Sequence, residues 1–134
     1  MINRQLGSNR TVLSVLGFSF LFSVILISCK QKEDIRYDTL YGKWDITRAE
    51  KNGKETPYLR NGYFIINANG TMTLNITGED ESGDYQIEKG KLVMEGDKIF
   101  DIESLQGDSL TIRYSIPSGT EFLIFMQKNK EDAQ

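Results

Sequence analysis

From residue 40 onward the sequence predicts an all-β fold, a small eight-stranded antiparallel up-and-down barrel, from three observations. Apolar and polar residues alternate with a period of two, most clearly in segments 72–76 and 110–114, as in strands with one buried face. Turn-forming residues separate these segments at short intervals, as in successive hairpins. No segment shows the period of an amphipathic helix that would cover a sheet edge, so we expect the sheet to close on itself.

Turn signals divide this part of the chain into its strands. In chain order they are Asn52-Gly53, Asn69-Gly70, the segment from Gly78 to Gly83, Gly90, Gly96, Gly107 and Pro117-Ser118-Gly119. The first strand follows Gly42 and ends before an Asn-Gly turn, the second and third flank another, and glycines join each later pair. We therefore expect strands near residues 43–50, 62–68, 71–77, 84–89, 91–94, 98–104, 109–115 and 120–128.

The alternation also predicts which side chains face the inside of the barrel. This interior set is Trp44, Ile46, Phe64, Ile66, Met72, Leu74, Ile76, Tyr85, Ile87, Leu92, Met94, Phe100, Ile102, Leu110, Ile112, Tyr114, Phe122, Ile124 and Met126. An eight-stranded barrel has room for such side chains or for one small ligand.

Residues 1–28 have the composition of an export signal. Arg4 and Arg10 precede a stretch, residues 11–28, that is apolar or small, and no acid occurs before Glu33. Eighteen residues without charge also reach the lower limit for an uncleaved membrane anchor. The run Leu26-Ile27-Ser28-Cys29 favours cleavage, because it resembles the lipobox of bacterial lipoproteins. This resemblance implies a diacylglyceryl group on the Cys29 thiol, cleavage after Ser28 and acylation of the new amine.

Cys29 is the single cysteine of the chain, so an intramolecular disulfide is impossible. The alternative to lipidation is an accidental cysteine at the end of a signal-like segment. Two or more acyl chains anchor a protein stably, whereas one chain does not. We therefore expect a protein held on a membrane by its N-terminal lipid.

The charged segment after Cys29 suggests where the protein is displayed. Lys32-Glu33-Asp34 resembles the signal that sends Bacteroidota lipoproteins to the outer face of the outer membrane. We expect a lipid-anchored outer-membrane protein exposed at the cell surface, with a periplasm-facing position as the alternative. The expected organisation is a cleaved signal (1–28), a lipidated N-terminus and flexible tether (29–39), the barrel (40–128) and a disordered tail (129–134).

Charge argues against one class of partner. The chain from Cys29 keeps all 19 acidic residues but loses two of the 16 basic ones, so its formal net charge is minus five. A nucleic-acid-binding protein needs a basic face that neutralises phosphates. We expect a monomer that does not bind nucleic acid.

The segment Leu40-Tyr41-Gly42-Lys43-Trp44 matches the Gly-x-Trp signature of lipocalins. Residues 64–72 resemble the strand, Asn-Gly turn and strand of short bacterial lipocalin-like lipoprotein domains, and the resemblance covers roughly residues 40–128. It implies that Trp44 plugs the closed end of the barrel, with Gly42 allowing a tight turn. Lys128 takes the place of the arginine that stacks on the tryptophan in that family. The Thr-Asp-Tyr motif and the C-terminal helix of larger lipocalins are missing.

The resemblance implies that the barrel binds a small apolar or amphipathic ligand, without a cofactor or metal. The candidate ligand-binding residues are Trp44, Arg48, Phe64, Met72, Leu74, Tyr85, Phe100, Ile112, Tyr114, Phe122 and Ile124. Arg48 shares a strand face with Trp44, so with Tyr114 it would hold a carboxylate inside the barrel. The alternative is that Arg48 reaches solvent at the rim. Loop 51–61 resembles the lid of lipocalins or is an uninvolved hairpin loop.

A non-catalytic protein-interaction module, an accessory or inhibitor on the cell envelope, is the alternative function. Tyr63 with Ile65, and Leu123 with Phe125, are outward-facing apolar pairs that would form a partner site. Alternatively, Ile35, Tyr37 and Leu40 fold over the outside of the last strand and cover that surface.

An enzyme is not expected. Histidine is absent and the single thiol is assigned to lipid, which excludes Ser-His, Cys-His and histidine-ligated metal sites. No acidic residue belongs to the interior set, whereas a glycosidase needs two acids across one pocket.

Overall fold

Nine strands and one short 3-10 helix make up the described part of the computed structural model, residues 35–131. The 3-10 helix is Tyr37–Thr39. The strands are β1 (Gly42–Lys51), β2 (Lys54–Glu55), β3 (Tyr63–Ile66), β4 (Thr71–Asn75), β5 (Glu81–Glu88), β6 (Lys91–Met94), β7 (Lys98–Gln106), β8 (Ser109–Ser115) and β9 (Glu121–Lys128). The expected signal 1–28, Cys29 and the last three residues lie outside the described residues.

The sheet closes into the predicted eight-stranded antiparallel up-and-down barrel. From β3 onward each strand pairs with the next along the chain, and β9 returns to pair with β1, from Trp44 opposite Lys128 to Lys51 opposite Phe122. The two-residue strand β2 pairs with the end of β1 and lies outside the closed ring. The sequence missed β2. It also placed the start of β5 three residues late, because residues 81–84 pair with residues 71–74 of β4.

The connections alternate between the two ends of the barrel. One end, which we call the mouth, carries residues 56–62, 76–80, 95–97 and 116–120. The other, the closed end, carries the turns at 67–70, 89–90 and 107–108, together with the first and last described residues of the domain. This arrangement follows from an up-and-down order of short hairpins.

The predicted interior set is confirmed, because each of its members is buried or half-buried in the core. Phe64 packs edge-on against Phe100 with ring centroids 5.3 Å apart, and Phe100 lies 4.9 Å from the ring of Tyr114. These rings cross the barrel and fill its interior. The sequence missed further core members, which are Leu40, Ala49, Leu59 and Leu105.

Two β-bulges explain why strict alternation missed Ala49 and Leu105. One lies in β1 between Ile46 and Arg48, and the other in β7 between Ile102 and Ser104. A bulge adds one residue that has no partner on the neighbouring strand. The side chains that follow it therefore point to the opposite face from the one that strict alternation predicts. Ala49 therefore points inward opposite Ile124 of β9.

The described chain begins at Ile35, and its first residues pack on the barrel. Ile35 and Tyr37 pack against the core, although they fall in the expected flexible tether 29–39. Leu40 is fully buried in the core, so the expectation that it covers the outside of the last strand is wrong. Its carbonyl accepts a hydrogen bond from Trp44 at the closed end.

Order also continues beyond β9 into the expected tail. The Asn129 amide donates to the Lys43 carbonyl, and its side-chain nitrogen donates to Asp45. Both hydrogen bonds tie the chain to β1 at the closed end. No helix among residues 35–131 has the length and apolar character needed to cross a membrane.

Candidate functional site

The closed end is sealed around Trp44, which the sequence proposed both as a plug and as a ligand contact. The Trp44 indole is fully buried and its Nε1 donates to the Leu40 carbonyl at 2.8 Å. The Lys128 ammonium lies 5.1 Å from the indole ring and donates to the Thr39 carbonyl. Gly42 has a φ of +132°, and a Cβ there would lie 2.9 Å from Lys128 Cε. Trp44 is therefore a plug, as the lipocalin resemblance implies.

Most of the other candidate ligand-binding residues form the filled interior. They are Phe64, Met72, Leu74, Tyr85, Phe100, Ile112 and Ile124, all of them buried. Tyr85 donates a hydrogen bond to the Asn67 carbonyl at 2.7 Å, and burial raises the pKa of its hydroxyl. These side chains fill the core of the barrel, so open space lies nearer the mouth.

Arg48 does not point into the barrel beside Tyr114 but reaches solvent, as the alternative interpretation of this residue expects. The bulge before it turns its side chain outward, where its guanidinium carbon lies 4.0 Å from the Phe125 ring centroid. Its Nη1 pairs with Glu50 at 3.0 Å. Arg48 therefore covers part of the outer apolar surface around Phe125, the surface that the sequence offered as a partner site.

An apolar cavity of about 240 Å³ lies at the mouth. Its apolar walls are the side chains of Leu59, Ile76, Tyr114, Ile116 and Phe122. We call this cavity the mouth pocket. Tyr114 packs on the buried Phe100 ring, so the filled interior forms the floor beneath the pocket.

Residues 56–62, which we call the lid loop, form one side of the mouth pocket. Leu59 and Thr56 are buried, whereas Tyr58 at the tip is 79% exposed. The Thr56 amide donates to the Ala49 carbonyl, and the Ile46 amide donates to the Gly62 carbonyl, so both ends of the loop are tied to β1. The loop therefore packs against the barrel, and both interpretations of loop 51–61 stay open.

A second, more polar cavity of about 610 Å³ adjoins the mouth pocket. The lid loop and residues 75–78 line it, and Leu59, Ile76 and Thr77 line both cavities. Leu59 is the largest buried side chain of the lid loop.

An ion pair stands at the rim of the mouth pocket. The Lys98 ammonium contacts the Glu81 carboxylate, and the Lys98 side chain is 25% exposed against 48% for Glu81. Both side chains and Thr77 line the pocket. The mouth pocket thus combines apolar walls with one cation and one anion at its edge.

Hydrogen bonds hold the β4–β5 connection on the rim of the mouth. The Tyr63 hydroxyl donates to Asp80, the Asn75 side-chain nitrogen donates to Asp80 Oδ1 at 2.8 Å, and the Gly78 amide donates to Asn75 Oδ1. The Tyr63 hydrogen bond, followed by that of Asn75, lowers the pKa of Asp80. The same contact with Asp80 raises the pKa of the Tyr63 hydroxyl.

We expect acid to weaken this connection. Because the folded-state pKa of Asp80 lies below the unfolded value of about 3.9, its contribution to stability is complete above that value. The contribution is lost as pH falls through the folded-state pKa. Urea midpoints measured from pH 6 to pH 2.5 should fall more for the wild type than for Asp80→Asn. Asp97→Asn, on the next connection at the mouth, is the control and should follow the wild type. Parallel curves for the wild type and Asp80→Asn would contradict the assignment.

A further groove of about 650 Å³ runs over the outside of β5 and β6 and includes Asp84, Glu95 and Asp97. Among the described residues, no three His, Cys, Asp or Glu side chains form a group that would hold a metal ion. The groove is polar and open, so it offers less apolar contact than the mouth pocket.

Of the predicted ligand-binding residues, Tyr114 and Phe122 line the mouth pocket. The sequence missed the other six lining residues, although it placed Ile76 in the interior set and Leu59 in a lid; the six are Leu59, Ile76, Thr77, Glu81, Lys98 and Ile116. Lys98 carried no signal, since it begins a strand beside a turn as many surface lysines do. Comparisons of this chain with protein-family models, with curated proteins and with solved structures found no match.

Proposed function

We propose that this protein binds a small apolar or amphipathic molecule at the mouth of its barrel. The observation that carries the proposal is the apolar mouth pocket above a filled interior. Its volume of about 240 Å³ lies just below the range of about 300–1,000 Å³ that holds drug-sized ligands. The pocket therefore suits a small molecule or one end of a longer apolar chain.

A titration with 1-octanol, monitored by NMR, tests the proposal. The sample is the chain from residue 29 with Cys29→Ser, because the described residues 35–131 belong to one compact unit. We expect shift changes at the methyl groups of Leu59, Ile76 and Ile116. Phe122→Ala should weaken binding about tenfold, since it removes a large apolar contact.

Arg48→Ala is the control for this titration, because Arg48 lies on the outer wall. Its affinity for 1-octanol should equal that of the wild type. If no shift changes occur at the mouth, the binding proposal fails. A protein-interaction role then becomes the better account, with Tyr58, the most exposed aromatic side chain among residues 35–131, as a contact residue.

We also propose that Cys29 is lipidated and holds the protein on the outer membrane, displayed at the cell surface. The described chain enters the barrel at the closed end, where Thr39 and Leu40 contact Lys128 and Trp44. Six residues from Cys29 to Ile35 reach at most about 20 Å. A lipid on Cys29 would therefore hold Ile35 within about 20 Å of the membrane.

Metabolic labelling with a palmitate analogue tests the anchor. The wild type should be labelled and found in the membrane fraction, whereas Cys29→Ala should be unlabelled, because the chain has no other thiol. Ser28→Ala keeps a small residue before the cysteine and serves as the control that retains the label. Equal labelling of the wild type and Cys29→Ala would reject the anchor.

We propose a binding role without catalysis. The sequence has no histidine, and its one thiol is that of Cys29, so the common nucleophile and base pairs cannot form. The net charge of the chain from residue 29 disfavours nucleic acid as a partner.

A further inference from the structure

We infer that the mouth pocket selects a molecule with one negatively charged head group and one short apolar chain. Lys98 and Tyr114 bind the head group, and the head group takes the place of the Glu81 carboxylate. This inference rests on the proposed function and goes further by naming the charge and the length of the ligand.

Lys98 favours an anion because it is the more buried partner of the rim ion pair. A partly buried ammonium keeps an oppositely charged partner, and Glu81 provides that partner in the free protein. Glu81 is about half exposed, so it turns to water with little loss of solvation. A ligand carboxylate then takes the place of the Glu81 carboxylate beside Lys98. A cationic head group, by contrast, would have to displace Lys98 from the pocket.

Tyr114 supplies the second polar contact. Its ring is half-buried in the wall of the mouth pocket, and no hydrogen bond of its hydroxyl is present within residues 35–131. Tyr85, by contrast, donates to the Asn67 carbonyl. A tyrosine hydroxyl in a partly buried place normally has a partner, and an oxygen of an anionic head group provides one.

The volume of the pocket limits the length of the ligand's apolar chain. Since water occupies about 30 Å³ per molecule, 240 Å³ corresponds to about eight non-hydrogen atoms. The buried Phe100 ring packs against Tyr114 of the pocket wall, and Leu59, Ile76 and Thr77 lie between the pocket and the adjoining cavity, since they line both. A chain of about eight carbons fits, whereas the full acyl chain of a membrane lipid does not.

Three amphiphiles of equal chain length test the inference: octanoate, 1-octanol and octylammonium, titrated into the chain from residue 29 at pH 7. We expect octanoate to bind about tenfold more tightly than 1-octanol and octylammonium to bind most weakly. Lys98→Gln should abolish the preference for octanoate over 1-octanol. Glu81→Gln should strengthen octanoate binding, because it removes the competing carboxylate, and should leave the affinity for 1-octanol unchanged.

Tyr114→Phe should weaken the binding of octanoate by about fivefold and leave the affinity for 1-octanol unchanged. Lys91→Gln is the matched control, because Lys91 forms an ion pair with Asp101 on the outer wall, away from the pocket. It should bind all three amphiphiles as the wild type does. Should Lys98→Gln lose its fold, as judged from its NMR spectrum, Glu81→Gln and Tyr114→Phe test the same contacts.

The outcomes separate this inference from the proposed function. Equal binding of octanoate and 1-octanol, tighter binding of octylammonium, or an unchanged preference in Glu81→Gln would overturn the inference and leave the proposed function standing. No binding of any of the three would overturn the proposed function and the inference with it.

Discussion

Trp44→Ala is expected to lower the free energy of unfolding by about 3–5 kcal/mol. The indole is fully buried at the closed end, where it donates to the Leu40 carbonyl and lies beneath the Lys128 ammonium. Its removal leaves a cavity and also frees the residues that it joins, the 3-10 helix and the end of β9. Because domains of this size have a stability of about 5–15 kcal/mol, the loss is large, and urea unfolding followed by far-UV circular dichroism measures it.

Two variants separate the parts of this effect. Trp44→Phe keeps an aromatic ring but removes the indole donor, so we expect a smaller loss that includes about 1 kcal/mol for the hydrogen bond. Tyr58→Ala removes an exposed aromatic residue at the tip of the lid loop, and its effect should stay within about 0.5 kcal/mol. A Trp44→Ala cost as small as that of Tyr58→Ala would show that the plug does not stabilise the barrel.

Gly62→Ala is expected to cost about 1–3 kcal/mol and to displace the lid loop. A Cβ at residue 62 would lie 2.5 Å from the Asn75 carbonyl oxygen and 2.8 Å from Ile46 Cδ1. The φ angle of Gly62 is not in the left-handed region, so the cost arises from the steric clash. Since the clash involves backbone, the loop rather than a side chain must move, and the affinity for 1-octanol should change as well.

Gly83→Ala is the matched control for this substitution. Gly83 also has no positive φ, and a Cβ there would approach Met94 Cε at 3.3 Å. That atom is the end of a flexible side chain and moves at little cost. Urea midpoints should therefore fall clearly for Gly62→Ala and only slightly for Gly83→Ala. Equal midpoints for the two variants would contradict the close packing of the lid loop against β4.

The filled interior changes the meaning of the candidate ligand-binding residues. The interior set was predicted from alternation alone, and the structure confirms that its members face inward. The sequence could not decide whether those side chains surround a cavity or fill it, because filling depends on how rings from distant strands meet. Phe64 and Phe100 meet across the barrel, which leaves space at the mouth, beside Tyr114 and Phe122.

The outer surface shows a second limit of sequence analysis. Arg48 was expected to share the inward face of Trp44, but one inserted residue in β1 reverses its direction. A bulge is set by the pairing of β1 with β9, and those strands are more than 70 residues apart in the chain. Periodicity within one strand carries no information about such a pairing.

The sequence by itself determined the all-β class, the hairpin order and the inward face of each strand outside the two bulged segments, because period-two alternation and turn residues act locally. The packing of Lys128 on Trp44 was implied by the resemblance to lipocalins and not by the alternation. The tertiary structure alone decided the register of β9 on β1, the two bulges, the burial of Leu40 and Leu59, and the meeting of Lys98, Glu81 and Tyr114 at one pocket. These features join residues that are distant along the chain. Their geometry depends on barrel curvature and on the space left after the core has packed.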